Sequence, residues 1–431
     1  MPTDLQMNAT EQSDLVTGRA PWGRLALHPW YSPLRESLSV DVAIVGGGIT
    51  GSLIAEHLTA RGYSVCVIDR EEPGLGSTSA STAMLMWELD TSLSDLSLSY
   101  GYDKAAAIYR RSVVAVSGLS KLIERLQIPC GYRQRSSLYL TNSIGGAREL
   151  QQELALRKRA GLPGEYLSHP YLMTEFEIER DGAILSSGAA EVDPLMLAWG
   201  LLAVAVKRGA QLVKASATRI RTEGRSAVIE TDGNHVIEAR NVVLATGYAM
   251  PGIPMPKLHR ATSSWAMATV PQDPNRLWRD RALIWEDSHP YLYMRTSADN
   301  RIIIGGEDDA TVLPALRDAK MADKIDTLSE KLKRLWPQAD TTAEYRWCGT
   351  FGETVDGLPL IGPVPDMPNV LAAYGYGGNG ITFSFMASLM IGALVADERR
   401  DWFDDFALDR EGPTYRGFAN GTPIPERGLP L

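Results

Sequence analysis

The sequence predicts an α/β fold in which a doubly wound, dinucleotide-binding type of domain alternates along the chain with β-rich segments of a different character. Three observations carry this expectation. Residues 41–70 hold a complete strand–glycine turn–helix–strand–acid unit. Two later stretches, Val242–Gly247 and Tyr374–Gly380, again run from an apolar strand into glycine. Between those two, residues 256–345 carry strand patterns rich in aromatic side chains.

The first unit begins with the apolar run Val42–Val45, which meets Gly46-x-Gly48-x-x-Gly51. In such a unit Gly46 permits a tight turn, Gly48 lets a pyrophosphate approach the backbone, and Gly51 lets helix and strand pack closely. Leu53, Ile54, His57 and Leu58 share one side of the helix that follows, and Gly62 stands where it should stop. The first turn, with Ile49 and Thr50, offers unpaired N–H groups and a partial positive charge to phosphates. A second strand, Val65–Ile68, delivers Asp69, placed to accept hydrogen bonds from a ribose, and then Arg70. These residues read as a dinucleotide site.

The remaining elements follow in order. Residues 1 to about 38 read as a loose lead-in broken by Pro21, Pro29 and Pro33. The stretch Gly74–Met84 is a loop rich in Gly, Ser, Thr and Ala. Helical periodicity spans Lys104–Leu126 and Ala147–Ala160, with a strand at Ser136–Thr141 between them. A buried helix is expected over Asp193–Gly209, with Asp193 as N-cap, Pro194 at its first position and Gly209 as its stop. A strand near Leu212, a hairpin across Thr231–Asn234 and a strand at Asn241–Leu244 come next. Further strands are expected at Ala261–Val270, Tyr291–Arg295 and Arg301–Ile304, then a helix over Ala319–Leu335. The strand Asn369–Tyr374, a glycine turn and a helix to about Ala396 follow. No internal repeat is evident.

Composition excludes several classes. A net charge of −9 argues against nucleic acid, which a protein approaches with clustered Lys and Arg. Cys66, Cys130 and Cys348 are far apart, so neither a disulfide framework nor a zinc site is indicated. The histidines show no ligand spacing, and no metal site is expected. The N-terminus lacks the basic and apolar regions of a secretory signal. The longest apolar run, Leu195–Val206, covers about 18 Å as a helix, too short for a hydrocarbon core of about 30 Å. A cytoplasmic chain without a transmembrane segment is the expectation.

Four stretches now fit one family. The Gly46/Gly48/Gly51–Asp69 unit and the Ser-rich Gly76–Met84 loop come first. The strand end Val242–Gly247 and the block Asp356–Gly362 with Gly377–Gly380 come later. Their order and spacing resemble the D-amino-acid oxidase superfamily, which includes glycine oxidases and sarcosine oxidases, over roughly residues 38–398. The resemblance implies a doubly wound, Rossmann-type FAD-binding domain interleaved with an antiparallel-sheet (α+β) substrate domain. It assigns residues 38–100, 170–255 and 346–398 to the first, and 101–169 and 256–345 to the second. Residues 1–37 and 399–431 become terminal extensions.

The resemblance also implies a cofactor and its contacts. FAD, held non-covalently, would meet Gly46, Gly48, Ile49, Thr50, Gly51, Asp69 and Arg70. The loop would contribute the hydroxyls of Ser77, Ser81 and Thr82 and the backbone at Ala83 and Met84. Ile220 and the Ala245-Thr246-Gly247 turn would close beside the dinucleotide. Gly377, Gly378, Asn379, Gly380, Ile381 and Thr382 would meet the flavin pyrimidine, with a helix N-terminus aimed at it. FAD is expected over NAD because a nicotinamide enzyme has no reason to carry the last two segments.

The activity implied is removal of hydride from the carbon beside an amine nitrogen to flavin N5, giving an imine that hydrolyses. The substrate would be an amine or amino acid, and the acceptor O2 or a quinone or electron carrier. Two departures bear on the substrate. The carboxylate-holding arginine that follows Trp-x-Gly in glycine oxidase-like chains is absent, since Trp347-Cys348-Gly349 leads to Thr350-Phe351. A second family arginine is replaced by Gly378. No lysine lies between Lys257 and Lys320, where some sarcosine oxidases place one. The absence of histidine between His57 and His169 disfavours a histidyl–flavin bond, and Cys348 reads as a small core residue near a position where some relatives bond flavin. Substrate-facing candidates are Trp347 and the alternating Tyr291, Tyr293 and Arg295, with Arg133 and Arg135 open to the same reading. Two alternatives stand beside this one. The first is oxidation of a 2-hydroxy acid or polyol, which needs a base that the sequence does not reveal. The second is a non-catalytic flavoprotein subunit.

Overall fold

The computed structural model describes residues 4–6, 15–23, 31–142, 145–248, 259–286 and 290–412. Two ten-stranded sheets organise them. In the first, the strands run Asp4–Gln6, Ala217–Glu223, Ser226–Thr231, Val236–Leu244, Leu38–Val45, Val65–Asp69, Gln211–Lys214 and Ser32–Pro33, with Leu360–Val364 and Met367–Tyr374 attached through Val236–Leu244. Its centre is parallel: Leu38–Val45 lies between Val65–Asp69 and Val236–Leu244. Val42, Ala43, Ile44 and Val45 are all buried, as a strand covered on both faces requires.

Five helices fix the arrangement around the site: α1 (Ile49–Ala60), α2 (Tyr102–Leu126), α3 (Pro194–Lys207), α4 (Met321–Leu335) and α5 (Gly380–Val395). Helix α1 packs against both α3 and α5, and α5 packs also on α2. Asp193 caps α3, accepting from the amides of Leu195 and Met196 at 3.0 Å each. The segment Gly377–Val395 is long and apolar enough to cross a membrane by length and composition. Most of it is nevertheless buried, with α1 and α2 against it. Its largely apolar surface thus serves the core, with Leu389 left exposed on the outer side.

The second sheet runs Val16–Arg19, Ala343–Thr354, His259–Thr269, Ile302–Asp309, Leu292–Thr296, Leu283–Glu286, Arg133–Leu140, Gly182–Glu191 and Met84–Leu85, with Glu165–Ser168 on Gly182–Glu191. Every pairing is antiparallel except Leu283–Glu286 on Arg133–Leu140. Helix α4 covers one face through Ile325, Leu328, Leu332 and Leu335.

The structure departs from the sequence reading at its margins. The lead-in is not loose where it is described: Val16–Arg19 pairs with Ala343–Thr354, and Ser32–Pro33 with Gln211–Lys214. Prolines break helices but tolerate edge strands. Strand Gly182–Glu191 and residues 346–354 of strand Ala343–Thr354, assigned through the resemblance to the FAD-binding segments, lie in the second sheet. The division expected at 255/256 and the tail beyond residue 412 lie outside the described residues.

Candidate active site

The three glycines of the first turn do separate jobs. Gly46 sits at φ +107°, and a Cβ there would collide with the Ala245 carbonyl. A Cβ on Gly51 would collide with the Gly46 carbonyl, so Gly51 is where helix meets strand and does not itself face the cavity. Gly48 is the N-cap of α1, with no side-chain cap and no acid in the first turn. Beyond the Ile49 amide, which donates to the Thr78 hydroxyl at 2.9 Å, the first turn keeps N–H donors for a ligand. Asp69 is oriented by the amides of Gly47 (2.7 Å) and Glu71 (3.1 Å), while burial pushes its carboxyl above the usual range.

A single cavity of about 1730 Å³ begins at this turn and reaches the second sheet. Gly46, Gly48, Ile49, Thr50, Asp69 and Arg70 line its first end. Ser77, Ser81, Thr82, Ala83 and Met84 line the middle, facing Ala245, Thr246 and Gly247. Gly377, Gly378, Asn379, Gly380 and Ile381 form the opposite wall. The cavity fits a flavin dinucleotide. Ser77 Oγ is buried without a hydrogen-bond partner, and α5, like α1, starts without a side-chain cap or an acid in its first turn. Those donors suit a diphosphate at one helix end and an electron-rich ring at the other.

Three expected contacts lie elsewhere. Ile220 is fully buried in the core beneath the first sheet, where it pairs with Leu5; Ala215–Thr218 line the cavity instead. Thr382 donates its hydroxyl to Met86 O at 2.9 Å and so ties α5 to the strand region beside it. Arg295 shares the parity of Tyr291 and Tyr293, but two residues further along a strand is about 6–7 Å. There the wall is the loop itself: Arg295 is buried and donates to Ala83 O and Val192 O at 3.0 Å each. Arg135 pairs with Glu191 at 2.8 Å, and Arg133 is exposed.

At the far end, Tyr139 and Trp285 stack at 3.9 Å, with Tyr291 6.3 Å from Trp285 and Tyr293 5.7 Å from Tyr291. Trp347 also lines the cavity, but its indole N–H is committed to Ala80 O at 2.9 Å. Cys348 faces the opposite way. It is fully buried in the core under the second sheet, and burial pushes its thiol up to about 12.

Sequence reasoning missed several residues of this cavity. Thr78 accepts from the Ile49 amide at 2.9 Å, inside a loop already singled out for its hydroxyls. Asp90, Asp308, Glu353 and His259 all line the cavity. Asp90 accepts from the Gly378 amide at 2.6 Å, a pairing across most of the chain that no local pattern signals. Burial raises Asp90 to about 6 and Asp308 to about 7, with Glu353 nearby pushing both further up. His259 is held below its usual range by burial, and its Nε2 has no hydrogen-bond partner.

A dinucleotide cleft shared between a doubly wound sheet and an antiparallel one defines a flavin-dependent oxidoreductase architecture. The family model for FAD-dependent oxidoreductases (DAO) matches residues 41–394, and the chain belongs to that family. It is 28% identical over 387 residues to gamma-glutamylputrescine oxidoreductase of Escherichia coli strain K12, covering 88% of both chains. It is 27% identical over 385 residues to glycine oxidase of Geobacillus kaustophilus, covering 85% of this chain and 95% of that one. The crystal structure of glycine oxidase from Geobacillus kaustophilus superposes with a TM-score of 0.73 at 23% identity, covering 87% of this chain and all of the other. The protein is an FAD-dependent amine or amino-acid oxidoreductase.

Proposed function

We propose that the protein oxidises the C–N bond of an amine by removing hydride from the carbon beside nitrogen, the imine then hydrolysing. The observation that carries this reading is the chamber beyond the glycine turn, walled by Tyr139, Trp285, Tyr291 and Tyr293 and continuous with the dinucleotide cleft. When bound, FAD supplies the two-electron acceptor. The chain's own contribution is placement. Ser77, Thr50 and the two uncapped helix ends hold the dinucleotide, and Asp69 holds its ribose. The aromatic wall orients the substrate and excludes water. A substrate bound as free amine needs no protein base to take a proton from nitrogen.

Oxidation of a 2-hydroxy acid is less well supported. His259 offers a base, but the cations lining the cavity among the described residues are Arg70, beside Asp69, and Arg260, which pairs with Glu353 at 2.8 Å. Neither is free to hold a carboxylate at the aromatic end. We further propose O2 or a quinone-type carrier as acceptor and, from three free buried cysteines, a reducing cytoplasmic setting. The test is anaerobic mixing of the yellow holoenzyme with panels of amines, amino acids and 2-hydroxy acids. Bleaching of the flavin band by amines supports the reading; bleaching by hydroxy acids alone overturns it.

A further inference from the structure

We propose that the substrate end of the cavity selects an amine carrying a second positive charge, a diamine or oligoamine, held by the carboxylates of Asp90, Asp308 and Glu353 beside the Trp285 and Tyr291 rings. This rests on the amine reading above and goes further, because it names what the second end of the substrate must be.

The glycine turn gives the first argument. Asp90 Oδ2 accepts from the Gly378 amide, and a Cβ built on Gly378 would stand 2.7 Å from Asp90 Oδ1. The space into which a side chain at 378 would project is therefore filled by a carboxylate. No cation can enter the wall at this point from residue 378, and the local charge is negative.

The second argument is electrostatic. Asp90, Asp308 and Glu353 feel one another's charge, while Arg260 is engaged by Glu353 alone. Lys324 acts on Asp308 electrostatically, yet it does not line the cavity and donates to Glu307 O at 2.7 Å. Ionising both aspartates beside Glu353 is costly until a cation arrives from outside.

Independent signs of a ligand lie around this trio. Glu88 is 1% exposed and lines the cavity; its Oε1 accepts from Ser137 at 2.9 Å and lies 3.9 Å from the buried Arg157 guanidinium, while Oε2, with the Ser186 hydroxyl nearby, completes no hydrogen bond. Asp308 Oδ1 is likewise buried and unpaired. Trp285, stacked on Tyr139, and Tyr291 line the same cavity, and aromatic rings attract ammonium groups. One nitrogen of the substrate must shed its proton to react. The other keeps its charge, and that charge is what these groups recognise.

The test uses the holoenzyme and a dication that cannot be oxidised, decamethonium, titrated against the flavin absorbance. Tetramethylammonium is the single-charge control, and anaerobic flavin reduction by 1,4-diaminobutane is compared with reduction by butylamine. Decamethonium should perturb the flavin spectrum at concentrations at least tenfold lower than tetramethylammonium. Asp90→Asn, which keeps an acceptor for the Gly378 amide, and Asp308→Asn should each weaken decamethonium by about tenfold or more with FAD content retained, the scale of losing one close opposite charge near a protein surface. Equal binding of the two ammonium ions, or unchanged binding in both variants, overturns the proposal. If no amine reduces the flavin but decamethonium binds in an Asp90-dependent manner, the amine chemistry fails and the cation site stands. If diamines and monoamines reduce the flavin alike, the site fails and the chemistry stands.

Discussion

The Arg295 guanidinium donates to the carbonyl of Ala83 at 3.0 Å, and Ala83 is a non-glycine residue held at φ +53°. A positive φ costs an L-residue of order 1 kcal/mol or more, so something must hold the loop in place. Arg295 does so from behind, with its second amino group on Val192 O and the Trp22 ring 5.0 Å from its centre. The arginine that looked substrate-facing is a positioning residue for the cofactor loop.

Arg295→Met should therefore lower FAD affinity before it alters substrate preference. It strands two buried carbonyls, each worth about 1–3 kcal/mol. Urea unfolding and FAD release by dilution should both shift in the variant. Unchanged FAD retention would remove this role from Arg295.

The glycine turn makes a graded pair of predictions. Gly51→Ala has no room, because its Cβ would overlap the Gly46 carbonyl, and should yield little folded protein. Gly48→Ala meets only Thr78 Oγ1, at 3.1 Å, and should fold yet bind FAD more weakly. Asp69→Ala should cost about 1.5–3 kcal/mol of FAD binding, the scale of a hydrogen bond to a charged group. Apoenzyme titration with FAD measures all three, and wild-type affinity in Asp69→Ala would refute its ribose assignment.

The residues behind these predictions were unevenly legible. Gly46, Gly48, Gly51 and Asp69 lie within one βαβ unit, where local chain geometry dictates residue type, so sequence alone located them. Tyr291 and Tyr293 followed from strand alternation, but the same alternation could not say where along the strand the cavity ends, and so it carried Arg295 along. Ile220, expected from the resemblance alone, lies past a register shift between Ala217 and Arg219, so Thr218 lines the cavity while Ile220 is buried beside Leu5. Asp90 and Asp308 were invisible. Their meaning comes from Gly378 and Glu353, partners that only the tertiary fold brings near.

Cys348 yields a simple check on cofactor attachment. Its side chain belongs to the core under the second sheet, and burial holds the thiol protonated at neutral pH. Acid precipitation should release the flavin into the supernatant. Cys348→Ala should leave flavin content intact while costing about 1 kcal/mol of stability, the cost of a small buried truncation. Flavin remaining in the washed pellet would reverse this assignment.

The acids at the far end set a pH dependence whose sign is fixed. Asp90 faces the Gly378 amide, Glu353, Tyr248 and Tyr291, and burial raises it to about 6. Asp308 faces Ser264, Tyr293, Glu353 and Lys324, and burial raises it to about 7. Both stand above the ordinary aspartate value, so the folded, ligand-free protein retains these protons after the unfolded chain has lost them. The contribution of these two carboxyls to the stability of the ligand-free protein should therefore fall as pH rises from about 4 to about 7, read as the difference between the wild type and Asp90→Asn or Asp308→Asn. A fixed-charge dication prefers the ionised carboxylates, so its affinity should rise over pH 5 to 8 and then level off. Because decamethonium does not titrate, the rise reports the protein's groups alone. In Asp308→Asn the upper part of that rise should vanish, leaving a midpoint at or below about 6. A flat affinity profile in the wild-type holoenzyme would show that neither carboxyl meets the cation.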